Sequence, residues 1–188
     1  ETVTDDLNPV AVPPETHSAF RRGQLLLLLE QFEEPVAVDR IGYLEFFSAN
    51  PYLVHRAESS ERTQLLLAGF NPKALSYQAS TERFANRRTR LRSDLGALVA
   101  WGLARTASVD GLVACQLTET GRARAASFTS LYADAYRLSV SLIRPKMRGL
   151  SNAGLARLVQ QWLRVDEFRI DLLDIDFSYD NELQGRLL

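Results

Sequence analysis

The spacing of apolar residues along the chain predicts a protein built mostly from amphipathic helices. A first helix is predicted from Thr16 or Ser18 to about Phe32, with apolar residues at three- and four-residue steps. Its Leu25–Leu29 run is apolar on every side, which indicates burial against more than one neighbour.

Downstream, the pattern predicts further helices and one pair of strands. Asp39 is a good N-cap for a second helix, which ends at Asn50-Pro51 because a residue before proline avoids the helical region. Asp110-Gly111 is typical of a two-residue hairpin between strands. The remaining predicted elements are a short strand at 36–38, a third helix from about Thr81 to Trp101, hairpin strands at 103–108 and 112–117, a long helix from the N-cap Thr118 to about Arg144, where Pro145 follows, and a last helix from Ser151.

The order of these elements predicts a mainly α fold, a winged helix-turn-helix with a small β-hairpin wing and a C-terminal helical extension. In such a fold short helices share one apolar core, and the hairpin covers its open side and pairs with the short strand. The predicted division is an extended N-terminal tail at 1–15, a winged-helix domain at 16–117 with an insertion at about 52–80, and the long helix with its helical extension at 118–188. The alternative is an unrelated helical bundle that contains a hairpin.

Local motifs around the hairpin support the winged helix. The stretches Gly102–Arg105 and Leu117–Arg122 resemble the wing of many bacterial winged-helix proteins, in which a Gly-Leu turn enters the wing and an "LTxxGR" stretch leaves it. Over most of residues 20–165 the chain resembles the small middle component of bacterial three-component systems built around an SMC-like ATPase, a group that includes the Lamassu anti-phage systems. The matching stretches, in order, are Gln24–Leu29, Val38–Ile41, Phe46–Pro51, the Arg83–Leu103 helix with its wing, and Ser130–Ala133, while the tail and Tyr52–Ser80 add nothing to the match.

This resemblance implies a function. It implies a cytoplasmic, non-catalytic accessory subunit that bridges an SMC-like ATPase subunit and an effector subunit, with double-stranded DNA reached through the complex. Two other classes stay open: a MarR-like dimeric winged-helix transcription regulator, and a scaffold or toxin-neutralising partner.

The amino-acid composition limits how each of these proposed function classes could work. The formal net charge of −1 excludes the globally basic surface of a free-standing DNA-binding domain, so any DNA contact must come from a local patch. The single cysteine, Cys115, cannot form an intramolecular disulfide, which fits a reducing compartment. No apolar run approaches the roughly 20 residues of a membrane span, so no membrane partner is expected.

The third predicted helix carries the candidate DNA-binding residues. Arginine suits phosphate and guanine contacts through its forked donors, and this helix would enter a major groove in a winged helix. Arg83, Arg87 and Arg90 are predicted to share one face, while Glu82 and Asp94 dilute the charge. Contact with a protein partner and a solvated helix face are the alternatives. The full candidate set is Arg83, Arg87, Arg88, Arg90 and Arg92.

The long predicted helix carries the candidate protein interface. Its apolar residues cover a wider arc than one neighbouring helix needs, so part of the stripe is expected to dock on another protein. Phe128, Leu131, Tyr132 and Tyr136 are the candidate contacts, with the two tyrosines as anchors. The alternative is core packing against the helix that begins at Ser151.

Catalytic chemistry is not expected. His17 and His55 fall in or near stretches predicted to be flexible, no Gly-rich phosphate loop occurs, and Cys115 is predicted to be buried in a wing strand. The acids from Asp166 onward alternate with apolar residues, which is typical of the wet side of a packed segment rather than of metal ligands. No cofactor, metal or enzymatic activity is therefore predicted.

Overall fold

The computed structural model describes residues 14–56, 58–70 and 80–170, with the backbone alone for residues 80–86 and 162–170. Most of the predicted tail and the acidic residues from 171 onward lie outside the described residues. The elements in this part, in order, are α1 (Ser18–Glu30), β1 (Val36–Ala37), α2 (Val38–Ala49), α3 (Ser60–Leu67), α4 (Ser80–Ala100), β2 (Ala104–Val109), β3 (Leu112–Leu117), α5 (Glu119–Ala126), α6 (Leu131–Met147) and α7 (Asn152–Ile170).

The three strands form one small antiparallel sheet in the order β1-β3-β2. β2 and β3 pair from Val109↔Leu112 outward, and β1 adds to β3 through Val36↔Cys115. Asp110 and Gly111 have φ values of 51° and 75°, the positive pair that a two-residue hairpin turn needs. The predicted hairpin is thereby confirmed. The fold is mainly helical with a small sheet, a layout compatible with a winged helix.

The five leucines of α1 form the centre of the core. All are buried, as their run predicted, and they belong to one continuous apolar cluster with residues from α2, α4, α6 and α7. Each fully buried leucine contributes about 1.5–3 kcal/mol relative to an exposed one. The C-terminal helices therefore share their core with α1, α2 and the sheet.

The motif that leaves the hairpin has a specific packing role. Thr118 Oγ1 accepts a hydrogen bond of 3.0 Å from the Gly121 N–H and donates one of 2.7 Å to the Gly102 carbonyl. A Cβ built on Gly121 would lie 1.8 Å from the Leu103 carbonyl oxygen. Only glycine at this position lets α5 approach the start of the hairpin so closely.

The single long helix predicted from Thr118 to Arg144 is wrong, because the chain forms two helices there. α5 ends at Ala126, and Ser130 caps α6 by accepting a hydrogen bond of 3.2 Å from the Ala133 N–H. Phe128 lies in the connection between them. Pro145 does not end α6 but lies inside its last turn. Proline has no N–H to donate to the carbonyl four residues back, which here is that of Ser141. Ser141 is exposed to water.

Smaller corrections concern helix ends. α1 ends at Glu30 rather than at Phe32. α2 begins at Val38 with Ala37 as its N-cap, so Asp39 lies in the first turn and is not the cap. Its carboxylate still suits the positive end of the helix. The insertion contains α3, capped by Ser59, which accepts a hydrogen bond of 3.2 Å from the Arg62 N–H.

Several arginines stabilise the ends of helices rather than offering charge to solvent. Arg122 donates to the Phe32 carbonyl at 2.9 Å, just beyond α1, and Arg144 donates to the Gln31 carbonyl at 2.6 Å. Arg40 donates to the Met147 carbonyl at 2.6 Å, at the C-terminal end of α6. A cation suits the partial negative charge that carbonyls carry there. The guanidinium of Arg122 is therefore engaged at the end of α1 rather than directed towards a phosphate.

Candidate interaction surfaces

Arg87 points into the protein and is not a surface residue of α4. Its Nε lies 2.9 Å from Oε1 of Glu45 on α2, and the Glu45 side chain is 4% exposed. Burial raises the pKa of Glu45, and the nearby Arg87 guanidinium only partly opposes that shift. The prediction that Arg87 shares an exposed face with Arg90 is therefore wrong, while the side chain of Arg83 lies outside the described residues.

The exposed arginines of α4 are Arg88, Arg90 and Arg92. At about 100° per residue, Arg88 and Arg92 lie one turn apart on one flank of the helix, and Arg90 lies on the opposite flank. Arg88 is held loosely, with its guanidinium 3.6 Å from the Asp39 carboxylate and 5.5 Å from the Tyr43 ring centre. Between the flanks the exposed residues are small, namely Thr89, Ser93, Gly96 and Ala100. We call this surface the α4 outer face.

Asp94 does not dilute the charge of that face, because its carboxylate is buried against α1. Its carboxylate lies 2.6 Å from Arg21 Nε and 3.1 Å from Arg22 Nε, so it ties α4 to α1. The Arg22 guanidinium also lies 4.8 Å from the centre of the Trp101 ring. The Arg21–Arg22 pair is consequently part of the α1–α4 contact rather than a basic surface patch.

The start of α6 carries an exposed apolar patch. Leu131 is 90% exposed and Tyr132 is 44% exposed. The Tyr132 ring lies against Phe20 of α1, with centroids 5.1 Å apart. We call Leu131 and Tyr132 the α6 patch. Both residues belong to the candidate protein interface predicted from the sequence.

Tyr136 does not belong to that patch. It is 1% exposed, and its ring stacks on Tyr132 with centroids 6.0 Å apart. The expectation that Tyr136 serves as an exposed anchor is wrong. Tyr136 lies one turn after Tyr132 on α6, where the core covers the helix. Phe128 is half-buried in the α5–α6 connection, beneath the guanidinium of Arg124.

A buried polar cluster joins four helices behind the two surfaces. Gln24 of α1 donates from its amide nitrogen to the Tyr132 hydroxyl, and its amide oxygen accepts a hydrogen bond from Arg87. Arg87 in turn pairs with Glu45. Burial holds the pKa of Tyr136 well above its usual value, and the neighbouring Glu45 carboxylate adds to that shift. We call these five residues the polar junction.

Exposed apolar residues also occur where the sequence pattern does not predict them. Trp101, Leu112 and Val113 are exposed around the hairpin, and Leu66 and Leu67 on α3. Strict alternation would place one of Leu112 and Val113 inside, but the sheet ends at the turn and leaves no neighbour to cover either. These residues offer further apolar contact area on the hairpin and on the insertion.

His55 and Cys115, two groups able to perform acid–base or nucleophilic chemistry, are enclosed. His55 is 2% exposed, contrary to the expectation of a flexible stretch, and burial lowers its pKa. Burial raises the pKa of the Cys115 thiol, so the nucleophilic thiolate is disfavoured. Within the described residues, no cluster of three or more His, Cys, Asp or Glu side chains could hold a metal ion. None of the helices described has both the length and the apolar character needed to cross a bilayer.

Comparison with protein-family models, with curated proteins and with solved structures gives no match for this chain.

Proposed function

We propose that this chain is a non-catalytic winged-helix subunit that bridges an SMC-like ATPase and a separate effector in a cytoplasmic bacterial anti-phage complex. The observation that carries the winged helix is the pairing of β1 with β3. β1 lies between α1 and α2 in sequence, and β3 is the second strand of the hairpin that follows α4. In that arrangement α4 corresponds to the recognition helix and the hairpin to the wing.

Two chemically different surfaces support a bridging role. The α6 patch is apolar and includes a tyrosine, a residue type enriched at protein interfaces because its ring buries area while its hydroxyl stays hydrogen-bonded. The α4 outer face is basic and suits an acidic protein surface or DNA phosphates. The identity of the partners comes from the resemblance of the sequence to the middle components of SMC-like ATPase systems.

A MarR-like dimeric regulator is the second candidate. The exposed Arg88, Arg90 and Arg92 on the helix that precedes the hairpin favour it, because a recognition helix needs such donors. The net charge of −1 counts against tight binding of DNA by the isolated chain.

Co-purification separates the two candidates. The chain is tagged and expressed from its native locus in its host, and the eluate is analysed by size exclusion with light scattering and by mass spectrometry. We expect a stoichiometric ATPase complex, and we expect L131R to abolish it while circular dichroism stays unchanged. V113R is the matched control, because Val113 is also an exposed apolar residue but lies on the hairpin.

Recovery of a lone dimer that binds a duplex from its own promoter would favour the regulator and refute the bridging subunit. Loss of the complex in V113R but not in L131R would move the interface from the α6 patch to the hairpin.

A further inference from the structure

Gln24 connects the two candidate surfaces through a single side chain. It is 4% exposed in α1, and both ends of its amide are used. The nitrogen donates to the hydroxyl of Tyr132 at the α6 patch, and the oxygen accepts from the guanidinium of Arg87 in α4. No other neutral side chain except asparagine can donate and accept through such a planar group, and asparagine is one methylene shorter.

Each end of this hydrogen-bonded chain is fixed to an element that carries one surface. Tyr132 is half-exposed, so a partner that covers the α6 patch must touch the ring whose hydroxyl holds Gln24. On the other side, Arg87 lies next to Arg88 in sequence and is anchored to Glu45. Arg87 is therefore one of the contacts that orient α4, together with the Asp94 ion pairs, and it acts on the part of the helix that carries Arg88 and Arg92.

We infer that Gln24 couples the α6 patch to the α4 outer face, so that a partner bound at Leu131 and Tyr132 changes the setting of the arginines on α4. The coupling passes through contiguous hydrogen-bonded groups, from the half-exposed Tyr132 through the buried Gln24 to Arg87. An unpaired polar atom at the buried Gln24 is costly, so a displacement at one end is transmitted along the chain. Its use as a link between two partners rests on the proposed function, whereas the hydrogen-bonded chain itself does not.

A double-mutant cycle on the isolated full-length chain tests the coupling. Y132F removes the hydroxyl that Gln24 contacts and keeps the ring, and R87K keeps the charge beside Glu45 but removes the guanidinium that reaches Gln24. Urea unfolding is measured for the wild type, both single variants and the double variant. If the two contacts are coupled, the effects of the two single variants are not independent. We expect the unfolding constant of the double variant to be smaller, by about threefold or more, than the product of the two single effects on that constant predicts.

The same cycle in a Q24M background identifies Gln24 as the link. Methionine has a similar volume but carries no amide for Tyr132 or Arg87, so the two effects should become independent. Additive effects in the wild-type background, or non-additivity that persists in the Q24M background, would overturn the inference.

Hydrogen exchange shows whether the coupling reaches α4. In Y132F, amides of residues 87–95 should exchange at least about threefold faster than in the wild type. Y52F is the matched control, because the Tyr52 hydroxyl donates to the Phe70 carbonyl, away from the polar junction. Equal exchange of these amides in the two variants would contradict the inference. Since both measurements use the chain alone, failure to co-purify an ATPase would remove the proposed function without affecting this result.

Discussion

Arg87 and Glu45 form an ion pair inside the protein, with Nε and Oε1 2.9 Å apart and the carboxylate 4% exposed. The pair joins α4 to α2 at the polar junction. The sequence pattern predicts Arg87 as a DNA-binding residue, but in the structure it helps to hold α4 against α2. Its substitution tests folding rather than DNA contact.

Breaking this pair should be costly, whereas replacing both partners should not. R87M leaves the Glu45 carboxylate buried without its counter-charge, and we expect it to lower the free energy of unfolding by about 3–5 kcal/mol. R87M/E45L removes both charges and fills similar space, so its stability should return to within about 1–2 kcal/mol of the wild type. Urea denaturation monitored by circular dichroism measures both; a double variant no more stable than R87M would contradict this account.

DNA binding, if it occurs, should depend on the exposed arginines alone. R88A/R90A/R92A should weaken binding to a duplex and reduce the dependence of log K on log salt, by about 0.9 for each phosphate that is no longer neutralised. R124A/R148A/R157A is the control, because it removes the same charge from exposed positions outside α4. Fluorescence anisotropy at several salt concentrations gives the slopes. Identical slopes for the two triple variants would exclude the α4 outer face as the DNA site.

Two glycines in helices should respond in opposite ways to the same substitution. G121A places a Cβ 1.8 Å from the Leu103 carbonyl oxygen, so α5 must move, and we expect a loss of about 1–3 kcal/mol. A Cβ on Gly96 meets no atom within 4 Å, so G96A should stabilise α4 by about 0.5–1 kcal/mol through its higher helix propensity. Thermal unfolding of the two variants should show melting temperatures shifted in opposite directions. A G121A variant as stable as the wild type would mean that this close contact is absent in solution.

His55 should make the protein sensitive to mild acid. Burial lowers the pKa of its imidazole below the unfolded value, and Lys146 and Arg62 add to the shift while Glu61 opposes it. The folded state therefore disfavours protonation. Stability contributed by neutral His55 is fully present above the unfolded pKa of about 6.5 and is lost as the pH falls towards the folded value, by at most about 1.4 kcal/mol per pH unit.

The measurement is urea unfolding at pH 7.5 and pH 5.5. The wild type should lose stability between them, and H55L should lose less. H17Q is the control, because it also removes one imidazole, but from an exposed position. An equal loss in the wild type and H55L would show that other groups govern the acid response.

The local features of this protein, namely α1 and the hairpin turn, follow from short stretches of its sequence. The spacing of leucines predicted α1 and its burial, and Asp110-Gly111 predicted the hairpin, because each signal resides in a few adjacent residues whose backbone preferences act at short range. The break between α5 and α6 was also encoded locally, in the capping hydroxyl of Ser130. The apolar residues on both sides of that break nevertheless resemble one continuous stripe, which is why a single helix was expected there.

Which polar side chains face inward depends on contacts between elements that are distant in the sequence. Periodicity places Arg87 and Arg90 near one another on α4. The boundary between the buried and the exposed side of the helix runs between them, because Glu45 on α2 pairs with Arg87 and draws it inward. Tyr132 and Tyr136 differ in the same way, because the core formed by α1 and α2 covers one and not the other. Such choices depend on charges and surfaces that are distant in the sequence, so no local pattern contains them.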